Sequence, residues 1–167
     1  MTSPAAHALG DAVGKLLAGD EPLAERLNAY ADLVRNSNAP AAEAVDRLVD
    51  RLFAVGAGAT APALGERLPE FLLSDEQGQL VSLERLLERG PLIVAFRRGH
   101  WCPYCLLATN ALTRIQAAAR ARGAGIVVIT PERQEYTQTL KRLTGADFPI
   151  LSDLDNGYAM AIGLAVS

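Results

Sequence analysis

A run of five apolar residues, Leu92-Ile93-Val94-Ala95-Phe96, stands shortly before Trp101-Cys102-Pro103-Tyr104-Cys105, and this pairing constrains the chain more than any other feature. An unbroken apolar run of strand length predicts a parallel strand covered on both faces. The segment after it, from Pro103 to Arg122, reads as one long helix that Gly123 and Gly125 bring to an end. Both cysteines of the chain therefore fall at a strand-to-helix junction. Pro103 suits the first helical position, which makes Cys102 the cap with an accessible sulfur and places Cys105 in the first turn.

The same alternation continues on either side. A hairpin is predicted from Phe71–Leu73 and Gln79–Leu83 around the turn Ser74-Asp75-Glu76-Gln77-Gly78. A helical turn at Leu83–Glu88 ends at Gly90-Pro91. Ile126–Ile129 reads as a second buried strand, Pro131–Leu143 as a helix, Phe148–Leu151 as a third strand and Asp155–Ile162 as a last helix. The class is α/β, a mixed sheet with flanking helices and right-handed crossovers.

Residues 1–57 differ: they are rich in alanine and leucine at helical spacing. Thr2 and Ser3 before Pro4 mark one helix start, Asp20 before Pro22 a second, and Asn38 with Pro40 a third. Leu9, Val13, Leu16 and Leu17 share one face of the first helix, and Leu23, Leu27, Tyr30 and Val34 one face of the second. In the third, Val45, Leu48, Val49, Leu52 and Phe53 should face a core. The expected organisation is an all-helical extension at 1–57, a linker at 58–69 and a redox domain at 70–167. The extension offers a surface on which two copies could form a homodimer; alternatively its apolar stripe packs against the adjoining domain.

At a helix start, unpaired N–H groups and the helix dipole favour a thiolate over a thiol. Arg97, Arg98 and His100 add donors or positive charge beside Cys102 and Cys105. Cysteines two residues apart can close a small disulfide loop, and Cys-x-x-Cys at a βαβ junction is a redox signal. The bland alternatives are two inert core cysteines or half of a zinc site, for which only His100 is near and four ligands are wanted. Trp101 either shields the site or forms a docking surface, or simply packs over the helix start; Tyr104 forms a partly exposed wall. Glu132 and Glu135, in the first turn of the predicted helix, read as complements to its dipole, and Asp153 and Asp155 as a turn and cap.

Residues 65–164 resemble the peroxiredoxin-like branch of the alkyl hydroperoxide reductase/thiol-specific antioxidant family, within the thioredoxin-fold superfamily. The matching pieces are Leu68-Pro69-Glu70-Phe71-Leu72-Leu73, the turn at Gly78 leading to Val81-Ser82-Leu83, and the strand Pro91–Phe96. Arg98-Gly99-His100-Trp101-Cys102-Pro103-Tyr104-Cys105 and Phe148-Pro149-Ile150-Leu151-Ser152-Asp153 follow in the family's order. Cys-Pro-Tyr-Cys also occurs in glutaredoxins, a local match.

The resemblance implies a thioredoxin-like fold and a thiol peroxidase cycling through a Cys102–Cys105 disulfide. It also implies a hydroperoxide substrate, a thioredoxin-like or glutathione reductant, and no metal, flavin or nucleotide. Laid on the family's Thr-x-x-Cys motif, Cys105 is the attacking thiol and Cys102 replaces the threonine. In thioredoxin-like disulfide oxidoreductases the first cysteine attacks, which would be Cys102; a redox-silent interaction domain is the third reading. The family's late arginine has no clear counterpart, so Arg97 or Arg98 is the expected substitute. The family's closing strands and helix also lack a counterpart before Ser167, so a shortened chain is expected, with an unpaired edge at Leu92–Phe96 unless helices or a second chain cover it.

The formal charge of −3 over 167 residues argues against a strongly basic nucleic-acid binder. No apolar run approaches the ~20 residues of a membrane-spanning helix. The N-terminus lacks a basic segment followed by an apolar core, so a cytoplasmic location is expected.

Overall fold

The computed structural model describes residues 4–37 and 39–164. Thr2, Ser3 and Asn38, three of the predicted helix-start residues, lie outside them. By internal contacts the chain divides between Ala57 and Gly58 into two compact units.

The first unit holds three helices, α1 (Pro4–Ala18), α2 (Leu23–Ser37) and α3 (Ala39–Ala54). Val13, Tyr30 and Ala42 are its buried apolar residues, and Arg26 is buried with them, its guanidinium donating to the Leu16 carbonyl at 3.2 Å. The apolar stripe of α3 departs from expectation. Val45, Leu48, Val49, Leu52 and Phe53 are exposed, Phe53 by 82%. Three short helices enclose only a narrow interior, and α2 takes up the contact surface between α1 and α3.

The second unit is a five-stranded mixed sheet with helices packed on it. Strands β1 (Leu72–Ser74) and β2 (Leu80–Ser82) form the predicted hairpin. Its turn is fixed by Asp75 Oδ1, which accepts the N–H groups of Gln77 and Gln79, each at 2.8 Å. Helix α4 (Leu83–Leu87) follows, capped by Ser82 Oγ, then β3 (Leu92–Phe96), α5 (Pro103–Ala121), β4 (Gly125–Thr130), α6 (Gln134–Thr144) and β5 (Ile150–Ser152). The strand order is β2-β1-β5-β4-β3, with β3, β4 and β5 parallel and β1 antiparallel to both of its neighbours.

Alternation along β4 feeds two cores. Val127 and Ile129 join Phe71, Leu83, Leu151 and Tyr158 on one face. Val128 is fully buried, as are Leu107 of α5, Leu140 of α6 and Ile150 of β5. Strand β3 is the edge strand expected at Leu92–Phe96, but its faces are less covered than a continuous apolar run predicts. Among the described residues it pairs with β4 alone, none of its residues is fully buried, and Ile93 is 38% exposed.

Several boundaries shift. Helix α6 begins at Gln134 rather than Pro131, which leaves Pro131 and Glu132 in the loop after β4. The single last helix expected at 155–162 is a 3₁₀ turn (Leu154–Asn156) followed by α7 (Gly157–Ala161). Asp155 and Asn156 separate them with φ of 62° and 56°, a left-handed step that short polar side chains tolerate. Asp153 caps α7, its carboxylate accepting the Tyr158 and Ala159 N–H groups at 2.8 and 2.9 Å. Residues 58–69 pack with the sheet: Thr60 Oγ1 donates to the Gly163 carbonyl at 3.2 Å, and Tyr158 donates its hydroxyl to the Pro69 carbonyl at 2.7 Å. No helix among the described residues is long and apolar enough to cross a membrane.

Candidate active site

The sheet's parallel strands aim their carboxyl ends at one crevice, the usual position for chemistry in such a sheet. The Arg97 N–H donates to the Ile129 carbonyl at 2.9 Å, the last bond holding β3 to β4. The chain then turns through Arg98, Gly99, His100 and Trp101 into α5. Cys102 is the cap of that helix and Pro103 its first residue, as expected.

The sulfurs are less accessible than a cap position suggests. Cys102 is 1% exposed and Cys105 7%. The expectation of an accessible Cys102 therefore fails, because the turn folds back over it, with the Cys102 N–H donating to the Gly99 carbonyl at 3.3 Å. Both cysteines are free thiols in this structure, and both are buried.

Hydrogen bonding makes the two thiols unequal. The Arg98 guanidinium donates to Cys102 Sγ at 3.1 Å. The Arg98 main-chain N–H donates to Cys105 Sγ at 3.4 Å, and the two thiols lie close enough to influence each other. The side-chain hydrogen bond between them, reinforced by burial, pushes the Cys102 thiol well above its ordinary range. The same bond is the main force holding Cys105 well below that range. Burial of Cys105 opposes it, and the main-chain N–H groups of Arg98 and Gly99 and the Arg98 side chain assist it. The main-chain N–H of Arg98 thus serves Cys105, its guanidinium serves Cys102, and the pull on the two thiols is in opposite directions.

The remaining predicted residues divide. Arg98 also stacks over Trp101, 5.5 Å from the ring centroid, and Trp101 is 61% exposed rather than packed over the helix start. Arg97 lies nearby with its guanidinium on the Phe96 carbonyl at 2.9 Å; burial lowers its pKa, against the pull of the two sulfurs. Tyr104 is half-buried on the first turn of α5. A cleft of about 420 Å³ adjoins the turn, lined by Phe96, Arg97, Arg98, Trp101 and Pro131 among others, but by neither cysteine.

His100 does not serve the sulfurs directly. Its Nδ1 lies 2.7 Å from Glu132 Oε1, its main-chain N–H donates to Glu132 Oε2 at 2.7 Å, and its ring stacks on Tyr136 at 4.8 Å. Glu132 is therefore not a dipole complement of α6 but a buried partner of the cysteine turn. The signal for it was the register of the two buried strands. Pairing Phe96 with Ile129 sets the residues just past each strand side by side.

The AhpC/TSA family profile matches residues 64–167, more than half of the chain. The chain belongs to the AhpC/TSA family. Solved structures agree with the family in fold. A hypothetical protein from Sinorhizobium meliloti shares 28% identity over 62% of this chain and 60% of its own, at a TM-score of 0.55. The peroxidoxin BcpB of Mycobacterium tuberculosis shares 23% identity over 59% of this chain and 64% of its own, at a TM-score of 0.57. A yeast mitochondrial 1-Cys peroxiredoxin shares 16% identity over 60% and 50%, at a TM-score of 0.53. The chain thus spans less than two thirds of the length of these structures. No curated protein sequence matches it. The second unit is accordingly the thioredoxin-like, peroxiredoxin-type sheet of this family.

Proposed function

We propose that this AhpC/TSA family member is a hydroperoxide reductase in which Cys105 is the attacking thiol and Cys102 resolves it. The asymmetry of the two thiols supports this reading: the Arg98 main-chain N–H donates to Cys105 Sγ, whose pKa is drawn down, while the Cys102 thiol is pushed up. The Cys105 thiolate attacks the outer oxygen of a hydroperoxide. An S–O bond forms, the O–O bond breaks, and the leaving alkoxide takes a proton to depart as an alcohol. Cys105 is then a sulfenic acid. Cys102, whose sulfur holds the Arg98 guanidinium, loses its proton and attacks the Cys105 sulfur. The disulfide forms and water leaves. A dithiol of the thioredoxin class, or glutathione, restores both thiols by exchange.

Arg98 takes the part of the family's late arginine in this proposal, with Arg97 as a buried neighbour and Trp101 as an exposed surface for the reductant. Pro103 and Tyr104 set the helix start. The chemistry belongs to residues 70–167, with the helical extension apart from it, in a reducing compartment such as the cytoplasm.

The test is stopped-flow Trp101 fluorescence of the reduced protein mixed with hydrogen peroxide. The unsubstituted protein and Cys102→Ser should show a fast phase linear in peroxide, and Cys105→Ser should show none. Loss of that phase in Cys102→Ser and retention in Cys105→Ser would reverse the roles. A rate no faster than that of a free thiol in the unsubstituted protein would overturn the reading.

A further inference from the structure

Glu132 is a carboxylate with only 8% of its side chain exposed, and it is spent on the main chain of the cysteine turn. One oxygen accepts the His100 main-chain N–H at 2.7 Å, and the other faces His100 Nδ1 at the same distance. A carboxylate only accepts, so Nδ1 carries the hydrogen. The carboxyl group also lies against Gly99: a Cβ on that residue would stand 2.4 Å from Glu132 Cδ and Oε1. Glu132 itself is set firmly. Its N–H donates to Thr130 Oγ1 at 3.1 Å at the end of the buried strand β4, and the His100 ring it holds stacks on Tyr136 of α6. Beyond Arg97 the ladder from β3 to β4 has ended, so Glu132 ties the turn to the interior of the sheet.

The held turn is the one that serves Cys105. The Arg98 N–H donates to its sulfur at 3.4 Å, and the Gly99 N–H, next in the turn, helps to draw its pKa down. We propose that Glu132 is a positioning residue for the Cys105 thiolate: by gripping the His100 main chain and ring from β4, it keeps the Arg98 and Gly99 N–H groups aimed at the sulfur. This inference rests on Cys105 being the attacking thiol.

The test uses the whole chain carrying Cys102→Ser, so that one thiol titrates. Thiolate absorbance against pH and the rate of iodoacetamide alkylation are followed for Glu132, Glu132→Ala and Glu132→Gln, beside thermal melts. Glu132→Ala should raise the apparent Cys105 pKa by about one unit, with a roughly tenfold loss of thiolate at pH values below it. Glu132→Gln, whose amide oxygen still accepts the His100 N–H, should recover most of that shift. A lowered melting temperature with an unmoved Cys105 titration would overturn the inference. Should Glu132→Ala not fold, Glu132→Asp, one methylene short of His100, puts the same question with the same two outcomes. Alkylation needs no peroxide, so an unmoved titration defeats the role of Glu132 alone. Absent peroxide reactivity in the unsubstituted protein defeats the peroxidase reading alone.

Discussion

Strands β3 and β4 are neighbours of nearly the same character, Leu-Ile-Val-Ala-Phe beside Gly-Ile-Val-Val-Ile-Thr, yet they live in different environments. In β4 five successive residues are buried, and Val127 and Val128 are wholly so. In β3 none is. Composition makes both of them strands; rank in the sheet makes one an interior strand and the other an edge. The two cysteines follow the edge strand, whereas Glu132 follows its interior neighbour. A weakly covered strand thus delivers the chemical groups, and a strongly covered one fixes their geometry through the contact of Glu132 with Gly99 and His100.

The largest expected effect that would break this comparison is in the core. Ile129→Ala, at 1% exposure in β4, should cost about 2–5 kcal/mol by chemical denaturation. A loss no larger than that of an edge residue would mean that the interior of the sheet is not where the stability lies. Next is the junction of the two strands. Gly99 has φ of +142°, and a methyl group there collides with the Glu132 carboxyl. Gly99→Ala should destabilise by about 1–3 kcal/mol and slow Cys105 alkylation, both measurable on one preparation.

A smaller effect belongs to Arg98→Ala. Removing the guanidinium from Cys102 should slow disulfide closure by roughly tenfold, about 1.4 kcal/mol of barrier. The initial oxidation of Cys105 should suffer less, because the Arg98 main-chain N–H remains. Resolved fluorescence phases separate the two steps. Equal slowing of both would assign Arg98 to the first step instead.

The pH dependence has a definite sign. Cys105 is held below its unfolded pKa, so its thiolate contributes stability that is present above the ordinary thiol pKa of about 8.5. That stability is lost as pH falls through the lower folded value. In Cys102→Ser, whose serine hydroxyl can still donate to Cys105 beside the Arg98 main-chain N–H, unfolding free energy should therefore rise with pH between those two values and then level off. Adding Cys105→Ser should abolish the slope, and a slope that survives would belong to another group. The smallest effect closes the comparison: Ile93→Ala on β3, 38% exposed, should change stability by less than about 1 kcal/mol.

Much of this molecule could be read in its sequence because it is decided locally. Apolar runs of strand length, the Asp75–Gly78 turn and Pro103 at a helix start need only neighbours in the chain, and each stands where it was expected. The clustering of Cys102, Cys105 and Arg98 was legible for the same reason, since a strand end and a helix start bring them together. Other features depend on what faces them across space. The stripe of α3 has the periodicity of a buried face, yet Val45, Leu48, Val49, Leu52 and Phe53 are exposed. β3 and β4 look alike until the sheet order sets one at the edge.

The distinction between the cysteines is tertiary as well. Both lie at one helix start, but the Arg98 main chain serves Cys105 and its guanidinium serves Cys102, so the two thiols are shifted in opposite directions. Glu132 is the furthest case. In sequence it stands 32 residues from His100, in the guise of a helix-start carboxylate. Parallel pairing of two strands, a long-range event, carries it to the cysteine turn. The sequence by itself determined which elements form and that two thiols meet at a helix start. Only the tertiary structure decided how differently the two thiols are surrounded and which residues hold their turn, because hydrogen bonding and burial belong to groups brought together across the chain.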